Sequence, residues 1–181
     1  YMPLLILILC LLVVEPPETI GQGLQWESLS LNHPHLLYSS QEIDVLRLRT
    51  QQNEEMKTLY GQILSRARRT SDDQRQRSSI AKSAAFTFTI GLSDDGSLLA
   101  EGELSSMSEK LNTYLHAIDP TVQPNTTQYQ WRAIELMMFC EAYDMYHGYG
   151  AQPDTSIEHT LAEFAENTLR ELRSPLQQYN N

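Results

Sequence analysis

The chain has 181 residues, of which 41% are hydrophobic and 20% charged, a composition typical of a globular protein rather than a disordered one. Its formal net charge of −10 argues against nucleic-acid binding, because phosphate contacts require a basic surface. The two cysteines lie far apart in the sequence, which excludes a disulfide scaffold and a structural zinc module.

The first segment of the chain has the pattern of an export signal. Residues 4–14 are an unbroken apolar run, shorter than the roughly 20 residues that a membrane-spanning helix needs. Two prolines at 16–17 end this run as a helix, and residues 21–23 (Gly-Gln-Gly) supply a small-x-small cleavage pattern. We therefore expect a signal peptide over 1–23, a mature domain over 24–181, and a secreted or periplasmic protein with no membrane attachment after signal removal. A buried core segment is the alternative for the apolar run.

Helical periodicity continues almost throughout the rest of the chain, and it predicts six helices. The first begins at the capping box Ser39–Glu42, and the second begins at Asn53 and ends in Arg66, Arg68 and Arg69. The third covers about 73–90 and the fourth about 97–116. The fifth begins at 128–132 and is ended by Gly148 and Gly150, and the sixth starts near 153–154 and stops before Pro175. Residues 86–90 (Phe-Thr-Phe-Thr-Ile) are the one strand candidate, and helical phase fits them better. The predicted fold class is therefore all-α.

We expect these helices to pair as sequential hairpins. Hairpins in series form either an open solenoid or a closed toroid, and periodicity alone leaves both possibilities open. Cys140 lies in an apolar stretch of the fifth helix, where a small buried hydrophobe is the expected role rather than a nucleophile.

Two groups of polar and aromatic residues are candidates for ligand contact. Tyr146 and His147 belong to a polar aromatic cluster at a helix end, which suits carbohydrate but is equally explained by packing of the helix terminus. Tyr129 and Arg132 lie at a loop-to-helix junction, which in a toroid forms the rim of the central cleft. Arg132 can bind a carboxylate through two parallel hydrogen bonds. The alternative, which we favour, places Trp131 in the core and leaves Arg132 exposed.

No metal or cofactor site is predicted. No two histidines have the spacing of a helical metal site. His116 ends a helix, where an imidazolium is favourable, and His159 is expected on a solvated face. The adjacent acidic pairs, such as those at 54–55 and 94–95, diverge and do not form the facing carboxylates of a glycosidase.

Several segments together resemble a known enzyme family. They are residues 32–39 (Asn-His-Pro-His-Leu-Leu-Tyr-Ser) with 42–43 and 46–47, residues 81–86 (Ala-Lys-Ser-Ala-Ala-Phe), residues 131–132 (Trp-Arg), and residues 141–145 (Glu-Ala-Tyr-Asp-Met). Their order and spacing resemble secreted polysaccharide lyases of the heparinase II/III and alginate lyase group. The similarity covers approximately residues 32–181.

The resemblance implies an incomplete (α/α) toroid, followed by β-sandwich domains, that cleaves uronate-containing polysaccharides by β-elimination. In that family an asparagine within an Asn-Asn-His or Asn-His motif neutralises the uronate carboxylate. The last residues, 179–181 (Tyr-Asn-Asn), look like the start of that motif, and Asn181 would then be the neutralising asparagine. The alternative is a frayed polar tail.

We therefore expect the N-terminal part of a polysaccharide lyase, truncated at its C-terminus and inactive alone because the family's later tyrosine and histidines are missing. The expected partner is an anionic polysaccharide, with no nucleic acid, no membrane and no cofactor. Two alternatives remain: a fragment of a six-hairpin glycoside hydrolase, and a non-enzymatic helical-repeat binding module.

Overall fold

The structure is a computed structural model that describes residues 39–121, 129–149 and 152–178. The predicted signal peptide over 1–23 and the segment 32–38 of the family resemblance lie outside these residues. The described residues form six helices: α1 (Ser40–Gln52), α2 (Glu54–Ala67), α3 (Gln74–Ile90), α4 (Glu101–His116), α5 (Tyr129–Gly148) and α6 (Thr155–Gln178). The one extended pairing among them is an isolated bridge between Leu92 and Leu98. The all-α prediction is confirmed, and residues 86–90 belong to α3.

Local capping fixes the starts of the first three helices. The Ser39 amide donates to the Glu42 carboxylate at 2.8 Å, and the Glu42 amide donates back to the Ser39 hydroxyl, which completes the predicted capping box. Asn53 accepts from the Met56 amide, and Asp73 accepts from the Gln76 amide. The helix starts predicted from these residues are therefore confirmed.

Two helix boundaries differ from the prediction. The fourth helix begins at Glu101 rather than at Ser97, because the preceding residues form a tight turn in which the Ser93 amide donates to the Ser97 carbonyl at 2.8 Å. The sixth helix continues to Gln178, past Pro175. A proline so close to a helix end removes one backbone hydrogen bond, which does not by itself terminate the helix.

The third helix is the centre of the fold. It contacts α1, α2, α4 and α5, and its contact with α5 is the most extensive of any helix pair. Ala81, Ala84 and Ala85 of α3 are fully buried. Because alanine side chains are short, they allow a neighbouring helix to approach closely. Large side chains that are fully buried, such as Leu64, Leu111, Phe139 and Phe164, complete the core around α3.

Contacts between α3 and α5 advance in the same direction along both helices. In chain order they are the stacking of Arg75 on Trp131, the contact of the Ser78 hydroxyl with the Met138 sulfur, the ion pair of Lys82 with Glu141, and the edge-to-face packing of Phe88 on Tyr146. The two helices therefore lie side by side and run parallel.

The fourth helix runs in the opposite direction. The Gln74 side chain at the start of α3 accepts a hydrogen bond from the Asp119 amide just beyond the end of α4, at 2.8 Å. The Ser108 hydroxyl in the middle of α4 bonds the Tyr146 hydroxyl near the end of α5. Within the described ranges, no helix is long and apolar enough to cross a membrane.

Candidate functional site

A shallow cleft of about 420 Å³, open to solvent, lies between α4 and the last turns of α3 and α5. Its lining combines aromatic rings, one leucine, hydroxyl and amide groups, and two carboxylates: Phe88, Tyr146, Leu104, Ser105, Ser108, Asn112, Glu101 and Glu109. The α4 residues among them recur at three- and four-residue steps, so one stripe of that helix forms a wall. The aromatic rings come from α3 and α5 and form the opposite wall. Such a mixture of an aromatic face and convergent polar groups suits a hydroxylated ligand.

Tyr146 is held firmly in this cleft. Its hydroxyl lies 2.8 Å from the Ser108 hydroxyl, and its ring packs edge-to-face on Phe88 with 5.7 Å between centroids. Only 7% of the residue is exposed. The side chain therefore presents a fixed ring to the cleft.

His147 packs between two tyrosines. Its ring centroid lies 4.1 Å from that of Tyr143 and 5.1 Å from that of Tyr146. The residue is half-buried. Its position is that of a packed helix terminus directly behind the cleft residue Tyr146.

The Tyr143 hydroxyl joins the end of α5 to the start of α6. It donates to the Glu158 carboxylate at 2.7 Å and accepts from the Asp154 amide at 3.1 Å. Burial, together with this bond to Glu158, raises the pKa of Tyr143 above the usual range of a phenol. Its proton is therefore held on the oxygen, which makes Tyr143 a poor general base.

Arg132 lies inside the fold, contrary to the expectation that it is exposed. Only 3% of the residue is accessible; its guanidinium lies over the Phe164 ring at 4.6 Å and donates to the Pro120 carbonyl. Asn167 donates to the same carbonyl at 3.1 Å. The arginine thus ties the start of α5 to α6 and to the beginning of the loop that follows α4.

Trp131 is exposed instead, so the expectation that it anchors the core is wrong. The residue is 41% accessible, and the Arg75 guanidinium lies 3.6 Å from its ring centroid. The sequence misplaced both residues because α5 is apolar on more than one face, and such a helix gives no clear phase. The pairing of Trp131 with Arg75, 56 positions away, has no local sequence signal.

The remaining candidate residues either lie outside the described ranges or have packing and surface positions. The Tyr129 side chain and Asn181 lie outside the described residues. No group of three metal-binding side chains occurs within the described part of the chain. Cys140 packs against the core, and burial raises the pKa of its thiol to about 11, so the expected packing role is confirmed. His159 is exposed, as expected.

Comparisons with protein-family models, with curated proteins and with solved structures found no match to this chain.

Proposed function

We propose that this chain is the helical part of a secreted polysaccharide lyase that acts on uronate-containing glycans, and that the cleft between α4 and α5 binds the sugar chain. The observation that carries the binding proposal is the composition of the cleft. The half-buried Phe88 ring offers apolar surface to a sugar ring, while the exposed Ser105 and Asn112 offer hydrogen bonds to its hydroxyl groups.

The helix arrangement supports an (α/α) toroid as the parent architecture. Parallel neighbours α3 and α5, with α4 antiparallel to them, are what successive hairpins produce when they stack in series. In such a stack one row of helices faces the inside and the other the outside. The central position of α3 is consistent with an inner-row helix.

The two carboxylates of the cleft restrict the class of sugar that it can bind. Glu101 and Glu109 accept hydrogen bonds from sugar hydroxyls, but they repel a uronate carboxylate. The sugar ring in this cleft is therefore one without a carboxylate. A glycan in which uronates alternate with uncharged sugars fits better than a pure polyuronate.

The described residues suit binding better than the chemical step. In β-elimination a base removes the C5 proton, the electron pair forms the C4–C5 double bond, and an acid protonates the departing glycosidic oxygen. Tyr143 keeps its proton through Glu158, and the Tyr146 hydroxyl is bonded to Ser108. Under this proposal Asn181 keeps the carboxylate-neutralising role that the family resemblance gives it.

A non-enzymatic glycan-binding module is the second candidate. The engagement of Tyr143, Tyr146 and His147 in helix packing favours it, because none of the three is poised for proton transfer in this arrangement. Both candidates need the same cleft, and they differ in whether the glycan is cleaved.

Titration calorimetry with an unsulfated oligosaccharide of alternating glucuronate and N-acetylglucosamine tests the binding. Ser105 is exposed on the cleft wall, so Ser105→Trp fills the cleft without altering the core. The matched control is Ser106→Trp, since Ser106 is exposed on the same helix and does not line the cleft. We expect Ser105→Trp to weaken binding about tenfold or more and the control to leave it unchanged.

Equal affinity in the Ser105 variant and the unaltered protein would overturn the cleft as the glycan site. In the same samples, the ultraviolet absorbance of an unsaturated uronate reports cleavage. Its appearance favours a lyase and overturns the expectation that this chain alone is inactive, whereas its absence alongside binding is what both candidates predict for this chain.

A further inference from the structure

We propose that Arg75 and Trp131 form a second glycan contact, specific for a uronate: the sugar ring lies on the indole and its carboxylate pairs with the guanidinium. The inference rests on the proposed glycan binding and names the part of the surface that recognises the acidic sugar. Neither residue belongs to the cleft beside Tyr146.

The geometry of the pair is that of a prepared surface. The Arg75 guanidinium lies 3.6 Å from the Trp131 ring centroid, and 41% of Trp131 is accessible. A guanidinium over an aromatic ring is held in place by the ring quadrupole and can still donate from its edge. A carboxylate accepts two parallel hydrogen bonds from such a group. The guanidinium covers one face of the indole, and the 41% of Trp131 that stays accessible leaves apolar ring surface for the sugar.

The charge of Arg75 is not neutralised by an ion pair within the described part of the chain. Arg75 is exposed and forms no ion pair with a described carboxylate. Two acidic residues lie in its neighbourhood and have other roles. Asp73 accepts from the Gln76 amide as the cap of α3. Glu135 is half-buried, and desolvation raises its pKa while the nearby charge of Arg75 partly offsets that rise.

The other structurally engaged arginines are committed to the fold. Arg68 pairs with Asp94 and Glu103, and its two partners lie at 3.0 and 2.8 Å. Arg47 donates to the Ile90 and Thr89 carbonyls at the end of α3. Arg132, which the sequence analysis named as a possible partner of a uronate carboxylate, is buried with its guanidinium over the Phe164 ring. Arg75 is therefore exposed, stacks on an aromatic ring and has no ion-pair partner among the described residues.

The location separates this contact from the cleft. Trp131 and Tyr146 lie near opposite ends of α5, about 22 Å apart by helical rise. Arg75 and Trp131 also lie in the first turns of two parallel helices, where the helix dipoles favour an anion. A glycan of alternating charge can therefore place an uncharged ring in the cleft and a uronate on the Trp131 surface.

Calorimetry with two probes tests the inference. The first is the oligosaccharide of alternating glucuronate and N-acetylglucosamine, and the second is the same oligosaccharide with its carboxylates reduced to alcohols. The variants are Arg75→Gln, Arg75→Lys and Trp131→Phe, with Arg49→Gln as the matched control because Arg49 is exposed on α1. We expect Arg75→Gln to weaken binding of the first probe about tenfold, as loss of a charge-assisted contact does. Arg75→Lys is expected to restore part of the loss, and binding of the reduced probe is expected to be the same in the Arg75 variants and the unaltered protein.

Unchanged binding of the acidic probe by Arg75→Gln, or an equal loss for both probes, overturns the inference. Loss of binding in Ser105→Trp with none in Arg75→Gln keeps the cleft and rejects the Trp131 surface. The reverse pattern keeps the Trp131 surface and rejects the cleft. Absence of binding by the unaltered protein rejects both proposals.

Discussion

The guanidinium of Arg132 lies 4.6 Å from the centre of the Phe164 ring and donates to the Pro120 carbonyl. This contact joins α5, α6 and the beginning of the loop that follows α4 through one buried cation. Arg132→Met keeps most of the volume but removes the donor and the cation–π contact. We expect it to lower the free energy of unfolding by about 2–4 kcal/mol.

Urea unfolding measures that loss. The control is Arg49→Met on the exposed surface of α1, which is expected to change stability by less than about 0.5 kcal/mol. Equal stability of the two variants would contradict a structural role for Arg132.

The Tyr60 hydroxyl forms two hydrogen bonds with the backbone of Leu92. It donates to the Leu92 carbonyl at 2.6 Å and accepts from the Leu92 amide at 3.3 Å, in a buried environment. Tyr60→Phe leaves both backbone groups unpaired, so we expect a loss of about 1–3 kcal/mol in denaturant unfolding. Tyr114→Phe is the matched control, because Tyr114 is also buried but its hydroxyl accepts a single, partly buried bond from the Ser71 amide. A control loss as large as that of the Tyr60 variant would contradict the account.

The buried Tyr60 hydroxyl should also make the free energy of unfolding fall at alkaline pH. Burial raises the pKa of Tyr60 to about 12, whereas an unfolded tyrosine ionises near pH 10. The unfolded chain therefore releases this proton first, and stability falls as pH rises from about 10 to about 12. The difference in stability between the unaltered protein and Tyr60→Phe should shrink over that range. A difference independent of pH would show that the phenol ionises alike in both states.

The Cys140 thiol should react slowly. Its pKa of about 11 leaves roughly 100-fold less thiolate at neutral pH than an unperturbed cysteine has. Alkylation with iodoacetamide is measured in a Cys10→Ser background, so that Cys140 is the single thiol. We expect the rate to rise to that of free cysteine in concentrated urea. A native rate equal to the denatured one would show that the thiol is not buried as described.

We expect acid to remove the stabilising effect of Asp154 at the start of α6. Its carboxylate accepts from the Ser156 amide at 2.9 Å and lies 3.2 Å from the His116 ring, and hydrogen bonds from Ser156 hold the pKa of Asp154 below its usual value. Its stabilising effect is therefore full above the unfolded pKa and is lost as pH falls through the lowered folded pKa. Asp154→Asn should have a lower urea midpoint at pH 7 than the unaltered protein, and this gap should close in strong acid. A constant gap would contradict the ionic origin of the effect.

Local signals in the sequence explain which parts of the fold were predictable. At the helix starts near Ser39, Asn53 and Asp73, a side chain accepts a hydrogen bond from the amide three residues later. These starts can therefore be predicted from the local sequence. Gly91, at φ +70°, ends α3 where a left-handed residue is needed. These features are set within one turn of helix.

The phase of α5 and the surface pair could not be obtained in the same way. Trp131 and Arg132 are neighbours, and either could face inward on a helix that is apolar on several sides. Their positions depend on Phe164 of α6 and Arg75 of α3, which only tertiary packing brings near. The cleft likewise needs Phe88 and Tyr146 from separate helices to meet.

Chemical-shift mapping of the labelled protein with the oligosaccharide of alternating glucuronate and N-acetylglucosamine shows directly where the sugar binds. We expect the largest shifts around the cleft, at Phe88, Ser105, Asn112 and Tyr146. Addition of the Ser105→Trp substitution should abolish these shifts. Saturating glycan that leaves the cleft resonances unmoved would contradict glycan binding between α4 and α5.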